Sequence, residues 1–326
     1  MDNSDAFKKN KTTGEIMSTA STIYGDLSGV EFRTLYSNGK MDGCLVTEAN
    51  TLTTPYGTLV PQYEAEDMGR RAVKPMYFYK DGALKSIALQ SQTMLETPVG
   101  TIPAELVTFH KNGSIKRIFP LDGKLSGFWS WKNEFALATT LTFLSPIGTL
   151  ATKVIGLQFY ESGALKSITL WPGQTLTIET PMGEVTVRKG LAFYESGAIR
   201  SFEPLKKMEI LTPIGMISSY DNEPNGIHGD VNSVQLAQDG SIEALSTVDH
   251  AIHVSTGEKG ELFHPGVKNN VCGDERKVSI PMKIRFEKSR VIFHDNPAFT
   301  FDIKEYRFEV RMMDAVTKEP IYSCSE

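Results

Sequence analysis

The chain has 326 residues, room for about two domains at ~100–200 residues each. Its 34 Lys and Arg against 39 Asp and Glu leave a net charge of −5, which excludes an overall basic field for nucleic acid, and no Lys/Arg block exceeds two residues. Hydrophobic content is 40%, as expected of a thin sheet with two wet faces, and no apolar run approaches the ~18 residues that would span a membrane as a helix.

Residues 1–25 are polar, carry Lys8, Lys9 and Lys11, and lack an apolar signal core, so they read as a flexible N-terminal arm. From 26 to 256 the chain reads as a β-hairpin repeat array built from two alternating turn motifs. The first is Phe-Tyr-x-x-Gly-Ala-Leu-Lys-Ser-Ile, clearest from Phe78, Phe159 and Phe193 and weaker from Leu35, Phe109 and Leu236. The second is Thr-Pro-x-Gly-x-Ile/Leu/Val, from Thr54, Thr97, Ser145, Thr180 and Thr212. Proline at its second position fixes φ near −65°, which predicts a type I turn with glycine fourth at positive φ. The same three-residue loop with a glycine bulge fits each copy of the first motif, so both motifs read as tight hairpin turns of one kind. Spacing supports a larger unit: Gly82 to Gly163, Gly100 to Gly183 and Gly113 to Gly197 span 81, 83 and 84 residues. An insertion around Phe119–Phe143 carries Trp129 and Trp131.

Ahead of each first-motif glycine, apolar residues alternate: Met76/Phe78, Val107/Phe109, Leu157/Phe159, Leu191/Phe193 and Val234/Leu236. Strand side chains alternate faces, so these form the buried face. One position later stand Tyr36, Tyr79, His110, Tyr160 and Tyr194, predicted to lie on the opposite, more exposed face. After the glycine, apolar positions such as Leu165 and Ile168 are three apart, which calls for a bulge or a sheet part-covered on both sides.

Tyr36-Ser37-Asn38-Gly39-Lys40-Met41-Asp42-Gly43 and Leu121-Asp122-Gly123-Lys124-Leu125-Ser126-Gly127-Phe128-Trp129 resemble MORN repeats, and the Phe-Tyr-x-x-Gly-Ala-Leu-Lys copies resemble divergent, bacterial antitoxin-like variants, over residues 32–245. That resemblance implies an all-β extended antiparallel sheet or solenoid used for protein or lipid contacts, with no catalytic residues.

Residues 221–230 read as a long loop and 257–275 as a linker, both rich in Gly, Pro or Asn. At 276–326 the glycine motif stops and alternating strands resume, reading as a C-terminal β cap or small β unit.

The aromatic stripe, Tyr36, Tyr79, His110, Tyr160 and Tyr194 with Trp129 and Trp131, is the candidate binding site, because exposed aromatics are common hot spots; cross-strand packing is the competing reading. His228, Asp230, Asp249, His250, His253 and His264 offer an alternative ligand, metal or hydrolytic site in the loops of 221–275, though i and i+3 on a strand face apart. Cys44, Cys272 and Cys324 form neither a disulfide framework nor a CxxC pair, which points to reduced thiols and a cytoplasmic location. Glu287 interrupts the basic run Lys283–Arg290, which reads as a solvated strand face. The sequence therefore predicts a binding or scaffold protein whose partner is another protein, without nucleic acid, catalytic residue, metal or cofactor. A membrane or envelope module is the second alternative, disfavoured by the negative charge.

Overall fold

The computed structural model describes residues 19–66, 69–126, 129–222, 228–257, 259–269 and 277–313. Nearly all regular structure there is antiparallel strand, as the repeat pattern predicts. The chain forms two compact units: one runs to Leu144 and takes in Gly156–Ala164, the other comprises Ser145–Ile155 and everything from Leu165 on.

In the first unit the sheet is a meander through Val30–Leu35, Met41–Val46, Met76–Phe78, Leu84–Thr97, Gly100–Phe109 and Ile115–Phe119, against which residues of Val154–Phe159 pair. In the second it runs through Leu165–Leu170, Gly183–Phe193, Ile199–Pro204, Val234–Leu236, Ile242–Thr247, Met282–Glu287, Arg290–Phe293 and Thr300–Asp302. Neither closes into a barrel.

Both motifs make tight hairpins, each by its own chemistry. In the first, Gly82 N–H donates to Tyr79 O (2.8 Å) and Tyr79 N–H to Ala83 O (2.7 Å), a three-residue loop with Gly82 at φ +96°. The residue before glycine is Asn or Asp in most copies because its side chain accepts the N–H two residues on, as Asp81 Oδ1 does from Ala83 (3.1 Å) and Asp239 Oδ1 from Ser241 (2.9 Å). In the second motif Thr pairs directly with Gly, so the loop has two residues and the two motifs are turns of different kinds, not of one kind as the sequence suggests. The Thr97 hydroxyl donates to Gly100 O (2.7 Å) and accepts from Val99 N–H (3.2 Å). Ser145, Thr180 and Thr212 repeat this pair of bonds, which is why the position is always a hydroxyl residue. A further copy, Thr22-Ile23-Tyr24-Gly25, lacks the proline yet makes the same bonds.

The buried face is as expected: Phe78, Phe109, Phe159 and Phe193 are at most 3% exposed. The three-residue spacing after the turn is resolved by a bulge. Leu84 opposes Phe78, but Ser86 opposes Tyr77, so one residue is skipped and Ile87 returns to the buried side with Leu84. The same skip occurs after Leu35, Phe109, Phe193 and Leu236. Second-motif hairpins bury an inward pair, Leu52 with Leu59, Leu95 with Ile102 and Ile210 with Ile217, and Tyr56 packs on Phe109 at 5.9 Å.

Two further readings need correction. Residues 19–25 are not part of an arm: Thr19–Thr22 pairs with Gly25–Ser28, and residues 1–18 lie outside the described residues. Much of 257–275 is not linker, since Lys259–Phe263 and Gly266–Asn269 are strands, while 270–275 lie outside the described residues. Met282–Glu287 pairs with Ile242–Thr247 and extends the sheet of the second unit, and residues 314–326 lie outside the described residues. Phe263 stacks on Phe293 at 4.4 Å, and Phe301 closes the cluster against Tyr306 at 5.1 Å.

Candidate functional site

The stripe residues sit on the first residue of each glycine turn, and the repeat register gives four of them the same task. Tyr36 Oη donates to Phe78 O (2.7 Å), Tyr79 Oη to Phe109 O (2.8 Å) and Tyr194 Oη to Leu236 O (2.8 Å). His110 Nε2 lies 3.0 Å from Phe159 O, which makes Nε2 the protonated nitrogen. Tyr160 occupies the same position in its hairpin, and all five rings are half-buried. Tyr36, Tyr79, His110 and Tyr194 each reach from their own turn to the backbone of the following hairpin, one rung per repeat.

Burial, then Asp42, pushes the Tyr36 hydroxyl up to about 12, and burial raises Tyr79, so both stay neutral donors. Lys80 Nζ lies 5.8 Å from the Tyr36 ring centre and Lys85 Nζ 5.9 Å from that of Tyr79.

Trp129 and Trp131 have other partners. Ser130 caps the helix Trp131–Leu137, where Trp131 packs on Phe135. Trp129 Nε1 donates to Glu134 Oε2 (2.6 Å), inside a buried ionic cluster. There Arg70 forks to Glu134 (2.8 and 2.8 Å) and to Glu105 (3.1 and 2.7 Å) and reaches Glu66 (2.9 Å), while Arg71 donates to Glu66 and to Leu89 O. Burial works against the Glu134 charge, but Arg70, Trp129 and the Gly123 N–H outweigh it and hold its pKa low. Asp122 is raised by burial even with Lys74 at 2.7 Å. The cluster fastens the 119–143 insertion to the sheet. The sequence offered only an Arg-Arg pair and scattered carboxylates as a signal.

The histidine group does not assemble. Asp249 bonds His250 Nδ1 (2.9 Å) and Lys207 (2.8 Å), and His253 points to the other face of the strand His250–Thr256. Asp230 instead lies beside Lys166 (3.5 Å) and Arg200 (3.8 Å). Among the described residues, no three His, Cys, Asp or Glu converge as a metal-binding group. A second buried polar cluster anchors the 228–233 loop. Glu203 accepts from Ser233 N–H (2.8 Å) and Oγ (2.5 Å), Lys189 donates to Val231 O, and burial raises Glu203 while lowering Lys189.

Cys44 is fully buried, and burial pushes its thiol to about 12, which makes it unreactive; Cys272 and Cys324 lie outside the described residues. In the basic run, Lys283 pairs with Asp295 (3.2 Å) and Arg285 with Glu287 (3.3 Å). No helix among the described residues is long and apolar enough to cross a membrane. No protein-family model, no curated protein and no solved structure matches the chain.

Proposed function

We propose that this chain is a non-enzymatic binding or scaffold protein of MORN-like type, acting in the cytoplasm and offering its repeat sheet to another protein. The observation that carries this reading is the ladder of hydroxyl-to-carbonyl bonds. Tyr36, Tyr79 and Tyr194 each spend the hydroxyl on a carbonyl of the next hairpin while the ring stays half exposed. A ring fixed in this way loses little freedom on contact, which is what makes rigid tyrosines effective at interfaces. His110 and Tyr160 continue the contact surface, with Trp129 and Trp131 as further contact residues.

The test is affinity capture from lysate with Tyr79→Phe and Tyr79→Ala beside the parent chain. Phe keeps the ring and should retain the captured partner; Ala removes it and should lose the partner while the protein stays folded. Equal capture by all three would remove the stripe from the interface.

A further inference from the structure

Second-motif turns dock one to one on first-motif turns further along the chain. In the first unit, Tyr24 Oη accepts the Leu84 N–H (2.9 Å) beside the Gly82 turn, and Tyr56 Oη accepts the Ile115 N–H (3.1 Å) beside the Gly113 turn. Pro98 covers the Gly163 turn so closely that a Cβ there would lie 3.1 Å from the proline ring. In the second unit, Pro146 covers Gly197 (3.3 Å) and Pro181 covers Gly240 (2.7 Å) in the same way. Five hairpins therefore cap the turn of a later repeat in order, while that of Thr212–Gly215 meets Val310 instead.

This order leaves the first glycine turn, Tyr36–Gly39, without a docked hairpin among the described residues, because the earliest hairpin of the second kind, Thr22–Gly25, sits on the Gly82 turn. A groove of about 590 Å³ lies there, between the strand Thr19–Thr22 and the turn, lined by Ile23, Arg33, Leu35, Gly39 and Met41 among others. Leu35 is 50% exposed, whereas its repeat equivalents Phe78, Phe109, Phe159, Phe193 and Leu236 are buried. We propose that this groove is a docking site for a β-turn of Ser/Thr-Pro-x-Gly chemistry carried by a partner protein. The occupant is defined by the chain itself, since turns of this kind fill the equivalent positions at Gly163, Gly197 and Gly240. Arg33 and Lys40 on the rim, against Asp81, favour an acidic residue after the glycine, as in Gly183-Glu184. The inference rests on the protein-contact reading above and names one site and one class of partner for it.

The probe is a backbone-cyclised, fluorescent peptide copying Thr177–Thr186, titrated into the full chain and followed by anisotropy. Saturable binding is expected, weakened about tenfold or more by Leu35→Glu. Leu211→Glu, at an exposed position on another hairpin, should leave it unchanged. Three results would overturn the proposal. No binding to the full chain but binding once residues 1–18 are removed would make the chain's own N-terminus the occupant. A dimer in sedimentation that Leu35→Glu dissolves would make a second copy the occupant. No peptide binding by either form, with capture through Tyr79 intact, would leave the scaffold reading standing and remove this site.

Discussion

Tyr79 and Phe109 meet through one hydroxyl and one carbonyl, yet their side chains answer to different forces. Phe109 is 3% exposed and fills space between the sheet and Tyr56. Phe109→Ala removes that volume and should cost ~3–5 kcal/mol in urea denaturation. Tyr79→Phe removes a single bond to a half-buried carbonyl and should cost ~0.5–1.5 kcal/mol. If both cost the same, the ladder is packing in the same sense as the core. Asp249 supplies a pH-dependent counterpart. Burial opposes its charge, but His250 and Lys207 hold it at about 2 against an ordinary 3.8. Its contribution, roughly 2 kcal/mol, is present above pH 3.8 and lost as the pH falls through about 2. Asp249→Asn should lower stability at neutral pH and flatten the acid limb of the stability–pH curve between those values.

Single hairpins show what the sequence could and could not disclose. Gly82 and Gly240 hold the same place in the motif, at φ +96° and +83°, but a Cβ meets nothing at Gly82 and Pro181 at Gly240. Gly82→Ala should cost about 1–2 kcal/mol from backbone strain alone. Gly240→Ala should cost more, and Pro181→Ala should recover part of the difference in a double-mutant cycle. The turns and the Phe face were legible because each depends on neighbours within a few residues. The bulge was visible as an anomaly between Leu165 and Ile168, and only strand register identifies its cause. The Thr22 turn escaped notice because its informative residue, proline, is absent while the hydroxyl that closes the turn is present. The ionic cluster was illegible for a different reason: Arg70 meets Glu105 and Glu134 from 35 and 64 residues away, and no local pattern encodes such partners. Arg70→Met would leave buried Glu134 without its cation and Glu105 with only Arg71 at 3.7 Å, and should cost ~3–5 kcal/mol. Trp129 fluorescence should change with it, since the indole bonds Glu134.

At the scale of the whole molecule, pairing between successive strands is local, whereas docking is not. Tyr24 and Leu84 are 60 residues apart and Tyr56 and Ile115 are 59 apart, so each dock ties a hairpin to a later repeat of its own unit. Repeat arrays held by nearest neighbours alone unfold from any weak point, with stability close to a sum over repeats. Docks that skip across repeats bind several hairpins into one cooperative block. Within each unit such docks recur: Tyr24, Tyr56 and Pro98 in the first, Pro146 and Pro181 in the second. The expectation is two blocks that respond separately to damage. Trp129 reports on the first unit and Trp171, buried in the second, on the other, so versions keeping one tryptophan each give separate readouts. Phe193→Ala, in the second unit, should lower the urea midpoint seen by Trp171 clearly more than that seen by Trp129. An equal shift at both reporters would mean that the docks of the two units belong to one cooperative transition, and the division into blocks would fail.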